Sequence, residues 1–214
     1  HARALELPSL GRRFECPVPE SVTRWLDGGD AGLPSPGELV RRVADAHCLR
    51  APLFEVASAF RLINGAGDEL PGVVVDRYGD YSVLAVSSDE AAERAQEIAE
   101  ALLSRGSRGV YFKLRERADQ RRIDRDKNAP PLPIAGEPAA PELLVSEGGL
   151  RFPVRLGDGP STGLFVDQRD NRNLVSRLAG GTRTLNLFAY TCSFSVAAAC
   201  SGAREVVSVD LAEP

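Results

Sequence analysis

Apolar and β-branched residues gather in short runs along the middle of the chain. Phe60–Asn64, Gly72–Tyr78, Tyr81–Ser87 and Gly109–Leu114 each read as a strand. Gly79-Asp80 separates the second and third, which predicts a tight hairpin. Between the third and fourth runs the period changes. Ala92, Ala95, Ile98, Ala99, Leu102 and Leu103 recur at helical spacing, predicting a helix capped by Asp89 and running to about Ser104. Strands, helix, strand is the order of a small α+β module rather than a nucleotide-binding βαβ fold.

The flanks are patterned differently. Pro19–Trp25 and Pro36–Leu49 are expected as short helices joined by the Gly/Pro-rich stretch Gly28–Gly37, with no core of their own. Residues 116–141 are charged and then rich in proline and alanine, which predicts a linker. Leu143–Ser146 and Leu150–Leu156 flank Glu147-Gly-Gly149 as a second hairpin. After Gly163–Val166, the apolar positions Leu174, Val175 and Leu178 stripe a helix that ends at Gly180-Gly181.

The last stretch carries the most information. Thr184–Phe188 reads as a strand, Ala189–Ser193 as a small-residue turn, Phe194–Ser201 as an Ala-rich helix and Glu205–Val209 as a second strand delivering Asp210. A carboxylate about twenty residues past the turn is placed to accept from both hydroxyls of a ribose. The fold class is therefore α/β: an α+β N-terminal module followed by the first part of a Rossmann-like domain. The expected segments are residues 1–50, 51–141 and 142–214.

Composition adds exclusions. The net charge of −4 argues against general affinity for nucleic acid, yet the window from Arg105 to Lys127 carries +5 and leaves −9 elsewhere. Four cysteines without C-x-x-C spacing and two histidines argue against a zinc site and a disulfide framework, and fit a reducing cytoplasm. No apolar run approaches the ~18 residues of a membrane span. The absence of methionine, the histidine at position 1 and the abrupt end at Pro214 lead us to expect a piece of a longer reading frame.

Three segments together resemble the RlmI/RlmK-type family of class I S-adenosylmethionine-dependent ribosomal RNA methyltransferases: 61–78 (RLINGAGDELPGVVVDRY), 161–172 (STGLFVDQRDNR) and 185–199 (LNLFAYTCSFSVAAA). The resemblance covers about residues 51–214 and implies S-adenosylmethionine as cofactor. It implies ribosomal RNA as partner, with cytosine C5 of the large-subunit RNA as the favoured target, and leaves room for a homodimer. The PUA domain usual in the family has no counterpart in the first 50 residues. The family's catalytic region would lie beyond Pro214, so no catalytic residue is expected within this chain.

Methyl transfer from a sulfonium needs positioning more than acid–base chemistry. Backbone N–H groups of the Asn186–Phe194 loop are expected to face the methionyl carboxylate. Phe188, Ala189 and Tyr190 are expected to line the methionine side, with Thr191, Ser193 and Phe194 completing the loop and Asp210 on the ribose. Phe165, Asp167, Gln168 and Arg169 are expected to close one side of the pocket; otherwise this segment is a capped helix start with Arg169 and Arg172 as solvated charges. Lys113, Arg115, Arg117, Arg121 and Arg122 are the candidate RNA contacts, with Tyr111 and Phe112 interleaved. Asp76-Arg77 reads as a structural salt-bridging turn. Cys192 and Cys200 have no recognisable basic partner and read as structural. Two other functions stay open: a non-catalytic RNA-binding or assembly module, and a nicotinamide oxidoreductase, which the lack of a triple-glycine turn disfavours.

Overall fold

The computed structural model describes residues 4–7, 12–15, 32–115 and 128–211. It divides into two compact units, His1–Gly32 and Leu33–Pro214. In the first, β1 (Ala4–Leu7) and β2 (Arg12–Glu15) pair antiparallel, with Leu5 opposite Phe14. No strand was expected here, ahead of the two helices expected within residues 1–50. The helix expected at Pro19–Trp25 lies outside the described residues.

The second unit begins before the boundary expected at residue 50. Helix α1 (Pro36–Leu49) buries Leu39, Val43 and Ala46 in the same core as the central sheet. Helix α2 (Ala51–Val56) leads into a five-stranded sheet built from β3 (Ala59–Asn64), β4 (Val73–Tyr78), β5 (Tyr81–Val86), β6 (Gly109–Leu114) and β7 (Ala135–Gly136), in that spatial order. The expected hairpin joins β4 to β5, with Tyr78 opposite Tyr81 and Gly79 at φ +60°. β5 and β6 run parallel, so the module contains one βαβ crossover after all. Its helical part is broken into α3 (Asp89–Glu93) and α4 (Ala95–Ser104) at Arg94. The cap is Ser88 rather than Asp89: the Ala91 N–H donates to Ser88 Oγ at 3.3 Å. The proline-rich linker is also more ordered than expected, because Ala135–Gly136 pairs with Val110–Gly109 as an edge strand.

Period-2 alternation sorts the sheet residues between two cores. Leu62, Val73, Val75, Leu84, Val86 and Val110 face α1 and α4. Tyr78, Tyr81, Val83 and Tyr111 face a second hairpin, β8 (Leu143–Glu147) with β9 (Leu150–Val154), and the segment carrying Leu164 and Val166. All six residues of β5 are buried, as expected of a strand covered on both sides. The same parity places Arg61, Asp76, Lys113 and Arg115 on the hairpin side of the sheet.

A 3₁₀ turn (Val166–Gln168) then opens α5 (Arg169–Ala179). The strand–helix–strand unit follows as β10 (Arg183–Leu187), α6 (Ser193–Cys200) and β11 (Glu205–Val209). β10 and β11 are parallel and in register from Arg183 opposite Glu205 to Leu187 opposite Val209. Helices α5 and α6 pack together. The alternate sheet face, Leu185, Leu187, Val207 and Val209, is exposed. Among the described residues no helix is long and apolar enough to cross a membrane.

Candidate functional site

β10 runs into a loop whose backbone is unusual. Phe188, Tyr190 and Cys192 have φ of 57°, 49° and 62°, the left-handed region, at alternate positions and without one glycine. Each such residue costs roughly 1–2 kcal/mol in an L-chain. The hydrogen bonds that hold the loop are specific. The Ala189 N–H donates to Val209 O (3.1 Å), the Cys192 N–H to Ala189 O (2.7 Å) and the Tyr190 N–H to Asp210 Oδ2 (2.6 Å). Thr191 Oγ1 donates to Gly163 O, tying the loop to the segment before α5. Cys192 is the N-cap of α6, so the N–H groups of Ser193 and Phe194 have no intrahelical acceptor and can meet an anion.

Asp210 therefore stands at the loop mouth, exposed, at the end of the second parallel strand. Phe188 is exposed and Ala189 is buried. The rings of Phe165 and Tyr190 lie 5.3 Å apart, so the segment before α5 packs against the loop. Asp167 is exposed there, and Gln168 accepts from Asn171 Nδ2 at 2.8 Å. Arg169 is paired with its neighbour Asp170 at 3.4 Å, turned along the helix start. Asn186 has a different place from the one expected: its Nδ2 donates to Ser195 Oγ (2.8 Å), which also bonds Ser208 Oγ (2.7 Å). The amide fixes α6 across both strands instead of lining the mouth.

Arg172 is not a solvated charge. It is buried and donates through Nε and one Nη to both carboxylate oxygens of Glu147, each at 2.7 Å. Its guanidinium lies 5.8 Å from the ring centroids of Phe152 and Phe194, and Nη1 has no hydrogen-bond partner among the described residues. The second hairpin is thus clamped to the helices that carry the loop. Helical spacing on α5 gave no sign of this, since the partner lies 25 residues earlier.

Of the candidate RNA contacts, Arg117, Arg121 and Arg122 lie outside the described residues. Lys113 is buried, 1% exposed, and its ammonium donates to Leu156 O (2.7 Å) and Gly159 O. Burial lowers its pKa to about 8, opposed by Asp158 and assisted by Arg115. It is a strut beneath the 156–163 loop, not an RNA contact. Gly157 sets the other side of that loop, where a Cβ would lie 2.2 Å from Pro131 O. Arg115 remains exposed.

Asp76 also departs from expectation. It is mid-strand, not in a turn, and pairs with Arg61 through contacts of 2.9 and 3.3 Å. Burial raises its pKa, with the Arg61 hydrogen bonds opposing. Arg77 lies over the Phe54 ring and 3.5 Å from Asp80.

Two cavities flank the Ser161–Gly163 wall. The larger, about 490 Å³, lies on the hairpin side and meets the loop only through Tyr190 and Thr191; Asp210 is not in its lining. The smaller, about 180 Å³, is lined by Arg61, Asp76, Arg115, Phe165, Asp167 and Tyr190, among others. Cys192 Sγ lies 4.0 Å from the Tyr190 carbonyl oxygen, and Cys200 is exposed. No cluster of three or more metal-ligating side chains occurs among the described residues.

Comparison with known proteins agrees with this geometry. Residues 101–214 match the family described as S-adenosylmethionine-dependent methyltransferase. A ribosomal RNA large subunit methyltransferase of Deinococcus radiodurans is 34% identical over 177 residues, 79% of this chain and 43% of that protein. Ribosomal RNA large subunit methyltransferase I of Tolumonas auensis is 35% identical over 180 residues, 81% of this chain and 44% of that one. The crystal structure of SMU.776, complexed with SAH, superposes with a TM-score of 0.73 at 32% identity, covering 83% of this chain and 45% of the other. The chain spans less than half the length of these relatives. It belongs to the family of S-adenosylmethionine-dependent methyltransferases.

Proposed function

We propose, from that membership, that the chain docks S-adenosylmethionine for methylation of large-subunit ribosomal RNA, with cytosine C5 as the target. The observation that carries this reading is the Tyr190 N–H···Asp210 contact across a loop already set in its left-handed turns.

The donor set suits the cofactor. The amides of Ser193 and Phe194 at the start of α6 hold the methionyl carboxylate at the positive helix end. Asp210 accepts from the ribose hydroxyls. Phe165, Phe188 and Tyr190 shield the sulfur end from water, where a dry, fixed geometry does most of the work of an in-line transfer. S-adenosylmethionine, when bound, supplies the electrophilic methyl group. Asp167 and Gln168 orient the segment that closes over it, and Asn186, through Ser195, keeps α6 seated.

The relatives' printed names support ribosomal RNA as the substrate class. A cytoplasmic setting is part of the same reading, as is a homodimer, which sedimentation velocity reads directly.

Calorimetry with S-adenosylhomocysteine tests the reading. The 214-residue chain is expected to bind it, and Asp210→Ala to weaken binding about 10- to 150-fold, the scale of one charge-assisted hydrogen bond of roughly 1.5–3 kcal/mol. Absence of binding heat from the wild-type chain at any accessible concentration would overturn it.

A further inference from the structure

The smaller cavity has a composition that the cofactor reading uses only in part: that reading takes up Phe165, Asp167 and Tyr190 and leaves Arg61, Asp76 and Arg115 unassigned. It lies between the hairpin-side face of β3, β4 and β5, the end of β6 and the segment before α5, and Tyr190 forms part of its wall. Arg61 is committed to Asp76, whose two oxygens both accept from it. Tyr78 closes the back, its hydroxyl donating to Leu164 O and accepting from Thr162 Oγ1, each at 2.9 Å. That leaves Arg115, with no ion pair among the described residues, and Asp167, which accepts from Gln168 Nε2 at 3.4 Å.

The formal charge of this lining is balanced, two arginines against two aspartates. A phosphate would meet two carboxylates there. A neutral ring with donors and acceptors on its edge would meet a guanidinium fork, a carboxylate and two half-exposed aromatic rings, Phe165 and Tyr190. These are the elements that read an unstacked base. At about 180 Å³ the cavity has the volume of about six waters at ~30 Å³ each, the scale of a single base.

We propose that this cleft receives one unstacked nucleobase of the RNA substrate, with Phe165 and Tyr190 as the stacking surface and Arg115 and Asp167 reading its edge. The inference rests on the methyltransferase reading, because Tyr190 then separates the base from the bound cofactor. It gives the central module a recognition role distinct from phosphate attraction.

The test uses the 214-residue chain, a short labelled single-stranded RNA containing cytosine and uracil, and S-adenosylhomocysteine. Arg115→Ala is expected to weaken RNA binding about tenfold, leave S-adenosylhomocysteine affinity unchanged, and leave the slope of log affinity against log salt unaltered. Arg151→Ala, an exposed arginine on β9, is expected to change none of the three. 4-Thiouridine RNA is expected to photocrosslink at Tyr190 or Phe165. Equal loss of cofactor affinity in Arg115→Ala means the cofactor fills the cleft, and the proposal fails. A salt slope reduced by about 1 marks a phosphate contact and also overturns it. Crosslinks confined to other residues, or wild-type chain that binds S-adenosylhomocysteine but no RNA, sink the base site while leaving the cofactor reading intact. Loss of cofactor binding in the wild type sinks the cofactor reading itself.

Discussion

Arg172 on α5 and Glu147 at the end of β8 form a buried bidentate ion pair, with both hydrogen bonds at 2.7 Å. Two charges removed from water in this way tolerate joint replacement better than the loss of one partner. Arg172→Met alone, or Glu147→Gln alone, is expected to lower the unfolding free energy by about 3–5 kcal/mol. The double variant Glu147→Leu/Arg172→Met should recover most of that loss. Urea denaturation of the three proteins measures it, and strictly additive losses would contradict the pairing.

Lys113 makes stability depend on pH in the alkaline range. Burial brings its pKa from the ordinary 10.5 to about 8. Between those values the unfolded chain holds a proton that the folded chain has released. The Lys113 contribution to the unfolding free energy therefore rises with pH across the window and is flat below pH 8. Urea midpoints between pH 7 and pH 10 should show this component in the wild type and lose it in Lys113→Met. The same variant is expected to bind RNA as the wild type does.

Cys192 tests the loop. Its φ of 62° suits glycine and is hard on β-branched residues. Cys192→Gly is expected to leave stability unchanged or raise it by up to about 1 kcal/mol, since the relieved strain and the added chain entropy oppose each other. Cys192→Val should lower it by at least about 1 kcal/mol. If both variants bind S-adenosylhomocysteine as the wild type does, the thiol has no part in cofactor binding.

The uncovered face of the parallel pair, Leu185, Leu187, Val207 and Val209, should bind a hydrophobic dye such as ANS in the folded state. Leu187→Lys is expected to reduce that fluorescence without weakening S-adenosylhomocysteine binding. An unchanged signal would place the dye elsewhere.

Much of this fold could be read along the chain. The Gly79-Asp80 hairpin, the Glu147–Gly149 turn and the strand–loop–helix–strand ending at Asp210 depend on local chemistry and lie where the sequence puts them. Other features join distant residues and leave no local trace. Strand parity puts Lys113 on the hairpin side of the sheet, but only the loop 43 residues later decides that it is covered. Arg172 shows a charge at a helical position and nothing of Glu147. The proline-rich stretch hides an edge strand because two residues suffice to pair with Val110 and Gly109. The apolar stripe of helix α1 makes no core of its own, and only the fold shows that Leu39 and Val43 meet the sheet and complete its core.

The left-handed turns at Phe188, Tyr190 and Cys192 have a consequence for how this stretch can vary over generations. Replacement there is screened by backbone geometry before any ligand atom is met. Valine, isoleucine and threonine are barred at three alternate places, while small or unbranched side chains pass. Drift at those three places should therefore stay within small or unbranched side chains, even in descendants whose ligand has changed.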